Sequence, residues 1–239
     1  MAGGGLLQRL RGSLRSVVPR RAIVGASLLN VFLRKRRQTQ RNAAGMCVNA
    51  AGEPVPWISY PAADYLDSLE LSGSRVFEYG MGASTAYFSR RGCSVIGVEM
   101  EPDWHARLIA LKLPGVECRL CTDGGQYPTE IDACEGPFDL ILIDGAERYR
   151  SARHAHSRLA PGGLLLLDNS EWYPRTASML RDAGLIQIEF AGFGPLNAFP
   201  SVTSIFFREP VKFAYRAKPA GWHPVGGRAL SGGALDDKP

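Results

Sequence analysis

The first 45 residues contain no aspartate or glutamate, although they hold ten arginines and lysines between Arg9 and Arg41. From residue 46 onward the balance reverses, with 18 basic against 23 acidic side chains. The formal charge of +5 therefore describes a basic leader on a mildly acidic domain, and it gives little support to a nucleic-acid-binding core. The chain nowhere offers the roughly 20 apolar residues that a bilayer-spanning helix needs. Its best candidate, "AIVGASLLNVFL" (22–33), is too short. A secretory signal pattern is also missing. The five cysteines (Cys47, Cys93, Cys118, Cys121, Cys134) are odd in number and irregularly spaced. Together these absences predict free thiols in a reducing, cytoplasmic compartment. Cys118 and Cys121 form one C-x-x-C inside a strand-like run, with no second pair. That argues against zinc or redox chemistry and for small buried side chains.

What is present divides into three parts: a basic leader (1–45), a domain (46–210) and a Pro/Gly-rich tail (211–239). In the leader, Leu6, Leu7, Leu10, Leu14, Val17 and Val18 recur at helical spacing, interleaved with Arg9, Arg11 and Arg15. This basic amphipathic pattern fits a helix on an anionic membrane surface, an organelle transit peptide, or a helix packed on the domain. The cluster "RKRR" (34–37) reads as a solvated charge run. With 239 residues, 45% of them hydrophobic, the chain can bury a core without staples. No internal repeat is visible.

Within the domain, strands and helices alternate. "WISYPAADYLDSLEL" reads as a leading helix. Strand "RVFEYG" precedes helix "STAYFSRRG"; strand "CSVIGVEM" precedes "PDWHARLIALKL"; strand "VECRLCT" precedes a Gly/Pro loop. Strand "FDLILIDG" precedes helix "RYRSARHAHSRLA", and the turn "PGG" (161–163) precedes strand "LLLLDNS" and helix "PRTASMLRDAG". "LIQIEF" and "SVTSIFF" have no helix between them and predict an antiparallel hairpin. Near-continuous apolar strands mean burial on both faces, hence a parallel sheet wound by helices. The expectation is an α/β, Rossmann-like doubly wound sheet of seven strands, mostly parallel, with a terminal antiparallel hairpin.

Ligands of such sheets bind beyond the carboxyl ends of the strands. There the first strand runs into "EYGMGAST" (78–85), where Gly80 and Gly82 allow close backbone approach and positive φ. Ser84 and Thr85 open the next helix, whose N–H groups lack partners. A plain structural turn would also explain the glycines. However, Glu78, Glu99, Asp123 and Asp144 put an acid at the end of four successive strands, which solubility alone does not explain. Glu99, 19 residues past Gly80, stands where an acid can accept ribose hydroxyls.

Residues 57–208 resemble the class I S-adenosylmethionine-dependent methyltransferases, through "EYGMGAST", "VIGVEME", "CTDGG", "FDLILIDG" and above all "LAPGGLLLLDNS". The resemblance implies S-adenosylmethionine as cofactor. Gly80 and Gly82 would border its methionine part with Glu78 behind them, and Ser84 and Thr85 would also bind the cofactor. Glu99 would bind the ribose, Asp123 the adenine amino group, and Asp144 would sit beside the methyl-transfer centre. Asp144, Asp168 and Asn169 look like the magnesium site of the catechol-type O-methyltransferases, with Asp144 and Asp168 catalytic; Asp and Asn equally favour caps and turns. Those enzymes carry a lysine base three residues after the first aspartate. Here that place is Glu147, and the adjacent Arg148 is a poor base. His105, His154 and His156 read as structural or solvated.

The favoured expectation is methylation of a small molecule, at oxygen. The lack of an N-P-P-Y or D-P-P-Y segment argues against a nucleic-acid target. A nicotinamide-dependent oxidoreductase and a non-catalytic domain that binds a membrane or partner through its leader are the alternatives. The loop G-M-G-A-S-T departs from the dinucleotide fingerprint G-x-G-x-x-G.

Overall fold

The computed structural model describes residues 19–208, 210–219 and 222–227. The amphipathic pattern at 6–18 and the last twelve residues of the tail lie outside them. Seven strands form one sheet: β1 (Arg75–Tyr79), β2 (Ser94–Glu99), β3 (Val116–Leu120), β4 (Phe138–Ile143), β5 (Leu159–Leu167), β6 (Ile186–Phe193) and β7 (Pro200–Phe207). Their order is β3-β2-β1-β4-β5-β7-β6. β1 to β5 pair in parallel, while β7 runs antiparallel between β5 and β6. The expected doubly wound, mostly parallel sheet with an antiparallel hairpin is the fold observed. The order reverses between β1, β2 and β4, so the crevice beyond Tyr79 and Ile143 is the topological switch point.

Among the described residues six α-helices accompany the strands: α1 (Arg20–Asn30), α2 (Tyr60–Asp67), α3 (Ala83–Arg90), α4 (Pro102–Ala110), α5 (Arg148–Ala155) and α6 (Pro174–Asp182). Side chains of a strand point alternately to its two faces. Accordingly Phe77, Tyr79, Ile141, Ile143, Leu165 and Leu167 belong to one buried cluster with Ala152, Ala177 and Leu180 of α5 and α6. Val76, Leu140, Leu142, Leu164 and Leu166 join the other, with Ala62, Leu66, Tyr87 and Phe88 of α2 and α3. Burying an aliphatic or aromatic side chain contributes about 1.5–3 kcal/mol, so this sandwich is the dominant source of stability.

Three local features differ from the sequence expectation. Pro161–Gly163 lies inside β5 rather than before it; the register with β4 shifts between Phe138 and Leu140, and Gly162 takes φ 70°. The boundary expected at residue 45 falls in a segment that bonds to the domain. Gln38 is buried, donating from Nε2 to the main-chain oxygens of Gly194 and Asn197 and accepting from the Tyr60 hydroxyl. Arg36 makes a bidentate pair with Asp64. At the other end, Val211 and Phe213 pack against the second core cluster, and Glu70 N–H donates to the Ala214 carbonyl. All five cysteines are free thiols.

Candidate active site

At the switch point the main chain turns twice. After β1, Gly80 takes φ 82°, which a side chain would strain. After β4, Gly145 comes so close that a Cβ on Gly80 would lie 2.6 Å from its Cα. Gly82, by contrast, has φ 177°, extended backbone open to any residue. Positive φ is thus required at Gly80 and not at Gly82. Its N–H donates to the Thr85 hydroxyl at 2.9 Å, which steadies the start of α3. The first-turn N–H groups of α3 have no intrahelical acceptor, and they face the crevice at the positive end of the helix dipole.

These turns floor a cavity of about 240 Å³ lined by Gly80, Met81, Gly82, Ser84, Glu99, Asp144 and Gly145, and walled by Arg41, Met46, Cys47, Trp57 and Trp104. Glu99 is buried, and its carboxylate is held by the backbone. Oε1 accepts from the N–H groups of Met100 (2.8 Å) and Glu101 (2.9 Å), and Oε2 from Met81 (3.1 Å). A carboxylate oxygen can accept twice, so Oε2 keeps a position for a further donor. Trp104 closes one wall, its indole N–H donating to the Met81 carbonyl at 2.6 Å. Arg41 stacks on Trp57 at 4.9 Å, and the Trp57 indole N–H donates to Asn197 Oδ1 at 3.2 Å. The β6–β7 loop thereby joins the rim. Burial pushes the Cys47 thiol up to about 12.

Not every expected residue reaches the cavity. Glu78 is fully buried behind the turn. Neither of its oxygens meets hydrogen-bond geometry with a partner, and the neighbouring Ser84 and Thr85 only partly offset the burial that pushes its carboxyl to about 7. Thr85 is buried too, occupied with Gly82. Asp123 is exposed and outside the lining, with Oδ1 accepting from Gly125 N–H at 2.6 Å. Of the expected cofactor residues, Gly80, Gly82, Ser84, Glu99 and Asp144 converge. His105 lies 3.3 Å from the Cys118 carbonyl and His154 pairs with Asp132, both away from the lining.

The expected magnesium trio needs correcting. The Asp168 carboxylate is buried and accepts from the Thr203 hydroxyl at 2.6 Å. Asp144 and Asn169 do turn toward a common point, but the guanidinium of Arg148 is already there, 2.9 Å from Asp144 Oδ1 and 3.3 Å from Asn169 Oδ1. Among the described residues no three His, Cys, Asp or Glu side chains gather closely enough to hold a metal ion. The donor set does not fit magnesium. Glu147, in the place of the absent lysine, is exposed and pairs with Arg150. Asp144 is held well above the usual carboxylate range by desolvation and by Asp168, with Arg148 pulling the other way.

No family model matches the chain, and no curated protein sequence matches it. Solved structures do. A precorrin-6y C5,15-methyltransferase from Geobacter metallireducens GS-15 superposes with a TM-score of 0.50 at 14% identity, over 62% of this chain and 87% of that one. The fold is that of the class I S-adenosylmethionine-dependent methyltransferases. A methyltransferase from Pyrococcus furiosus (TM-score 0.47, 16% identity, 78% of this chain and 98% of that one) is also similar. So is the O-methyltransferase TomG from Streptomyces achromogenes (TM-score 0.47, 17% identity, 59% and 74%). The cavity described above opens beyond the ends of β1 and β4.

Proposed function

We propose that this protein is an S-adenosylmethionine-dependent methyltransferase acting on an oxygen of a small molecule. One observation carries the reading. The cavity at the switch point joins a glycine turn, a helix N-terminus and a backbone-held carboxylate, Glu99, to the half-buried carboxylate of Asp144. The cofactor, when bound, supplies an electrophilic methyl group on a sulfonium. Glu99 would accept from the ribose diol, and the Gly80–Gly82 backbone would pass against the amino-acid part. Asp144, which lines the same cavity, would be the proton acceptor. Its raised pKa brings it closer to that of a useful base. Displacement at a methyl group needs mainly alignment and exclusion of water, and the walls formed by Trp57 and Trp104 serve that.

Mass spectrometry of the purified protein for a retained nucleoside tests the cofactor. Calorimetry with S-adenosylmethionine, its demethylated product and NAD follows. Binding of NAD alone would replace this reading with an oxidoreductase. Cofactor binding with no release of demethylated product across a panel of phenols, sugars and carboxylic acids would leave a non-catalytic domain. We propose also that α1 contacts an anionic membrane surface, because Ile23, Val24, Leu28 and Leu29 are all exposed there beside Arg20 and Arg21. No helix among the described residues is long and apolar enough to cross a membrane.

A further inference from the structure

The Arg148 side chain spans the ends of β4 and β5 and is only 10% exposed. A guanidinium has five N–H groups, and this one meets five oxygens. Nε donates to the Gly145 carbonyl at 3.0 Å. Nη2 donates to the Asp144 carbonyl at 3.0 Å and to Asp144 Oδ1 at 2.9 Å. Nη1 donates to the Asp168 carbonyl and, at 3.3 Å, to Asn169 Oδ1. The Tyr173 ring covers the planar cation at 4.7 Å. The residues flanking this network, Glu147 and Asn169, take φ 51° and 50°, a left-handed conformation that costs a non-glycine residue energy. The surrounding bonds hold them there.

We propose that the Arg148 guanidinium is the resident cation of this cleft, taking the place of a divalent metal: it neutralises Asp144, ties it to Asp168 and Asn169 across two strands, and makes the site independent of metal. A divalent ion needs about six hard oxygens around a small sphere. Here Asp144 Oδ1 and Asn169 Oδ1, which could begin such a shell, accept from the guanidinium, Asp168 Oδ1 accepts from the Thr203 hydroxyl, and a covalently attached positive charge repels any ion that approaches. A metal could enter only by breaking five hydrogen bonds and expelling the side chain. Arg148 is thus a positioning residue. With all five donors used it has none to offer an acceptor molecule, and its action runs through Asp144. The proposal stands apart from methyl transfer, since nothing in it depends on a cofactor.

The test uses the full chain and Mn²⁺, followed by paramagnetic resonance and thermal unfolding. The wild-type protein should bind no Mn²⁺ specifically, and excess EDTA should leave its Tm unchanged. Arg148→Ala removes the cation and frees Asp144 and Asn169. Its Tm should drop by several degrees and recover with Mn²⁺, and adding Asp144→Asn should abolish that recovery. A merely structural arginine would show the drop without the metal-dependent rescue. Should Arg148→Ala not fold, Arg148→Lys decides: it keeps the charge with fewer donors, so Tm should fall while Mn²⁺ stays excluded. Specific Mn²⁺ binding by the wild type or by Arg148→Lys, removed by Asp144→Asn, overturns the proposal. So does a folded Arg148→Ala that ignores Mn²⁺.

Discussion

Gly80 and Gly145 meet backbone to backbone: a Cβ on Gly80 would lie 2.6 Å from the Gly145 Cα, and one on Gly145 would lie 2.0 Å from the Tyr127 hydroxyl. This contact brings the turns after β1 and β4 together and sets the floor of the cavity. Gly82, two residues on, has only the Trp104 ring within van der Waals range, at 3.7 Å. The two glycines of the turn should therefore fail differently. Gly80→Ala meets both strain and overpacking, each of which costs about 1–3 kcal/mol. It should lower Tm as well as cofactor binding. Gly82→Val should keep the Tm near wild type and lose cofactor binding, because its side chain enters the cavity. Equal Tm values for the two variants would contradict this division.

Glu99→Gln tests the ribose contact. Glutamine keeps the size and one acceptor oxygen, so Met100 and Glu101 retain a partner. The charge-assisted bond to a sugar hydroxyl is weakened, and a hydrogen bond to a charged group contributes about 1.5–3 kcal/mol. The expected result is a tenfold or greater rise in the Kd for S-adenosylmethionine, read by calorimetry, with intact folding. An unchanged Kd would mean that Glu99 only braces its three backbone N–H groups.

Much of this architecture was legible in the sequence because the strands advertise themselves. "LILI" and "LLLL" admit no reading but burial on both faces, and strand–helix alternation fixes the winding. The site was legible in part. An acid at a strand end is placed along the strand but not on a face, since one residue's shift reverses the side chain. Glu99 therefore faces the cavity while Glu78 lies behind its turn. Arg41, Trp57 and Trp104 carry no local pattern that marks them; two come from the segment before α2, which lies over the turns after β1 and β4. The sequence shows Arg148 only as a poor base, since the five acceptors that enclose it come from two separate loops.

Burial of Glu78 makes stability depend on pH. Its carboxyl is raised to about 7 by desolvation, against an ordinary value of 4.5. Between those values the folded state holds a proton that the unfolded state has lost. Stability is therefore greatest below the unfolded value and declines as pH rises through 7, by on the order of 3 kcal/mol. Asp168, raised to about 6 mainly by burial, acts with the same sign at the acidic end of that window. Glu78→Gln should raise the Tm at pH 8 and flatten its fall between pH 5 and 8. A variant less stable than wild type at pH 8 would show that the carboxylate is compensated in the native protein.

Removal of residues 1–45 should be costly. It deletes the Gln38 bonds to Gly194, Asn197 and Tyr60, the Arg36–Asp64 pair, the Phe32–Phe193 edge contact at 5.2 Å, and Arg41 from the cavity wall. Several buried hydrogen bonds at about 1 kcal/mol each predict a Tm lowered by roughly 10 °C. Cofactor affinity should fall with it. A truncated protein melting within a few degrees of the parent would make the segment an appendage.

The last expectation concerns α1. Ile23, Val24, Leu28, Leu29 and Leu33 are exposed, and Leu29 shows 60% of its surface. Arg20, Arg21, Arg34 and Lys35 flank them, also exposed, the last two with Leu33 in the helical turn Val31–Lys35 that continues α1, and neither segment holds an acid. The helix end is anchored, since Phe32 packs on Phe193 and Arg36 pairs with Asp64. Apolar side chains beside basic ones match the boundary between acyl chains and anionic headgroups. Each basic residue near such a surface contributes about 1 kcal/mol, and salt screens it. The full chain should therefore sediment with phosphatidylserine-containing vesicles at low salt, less so at high salt, and little with phosphatidylcholine alone. Leu28→Asp with Leu29→Asp should abolish binding at no cost in Tm, because neither side chain is buried. Equal binding to both vesicle types, or binding that survives the double substitution, would remove the membrane role and leave α1 as a solvent-exposed extension of the domain.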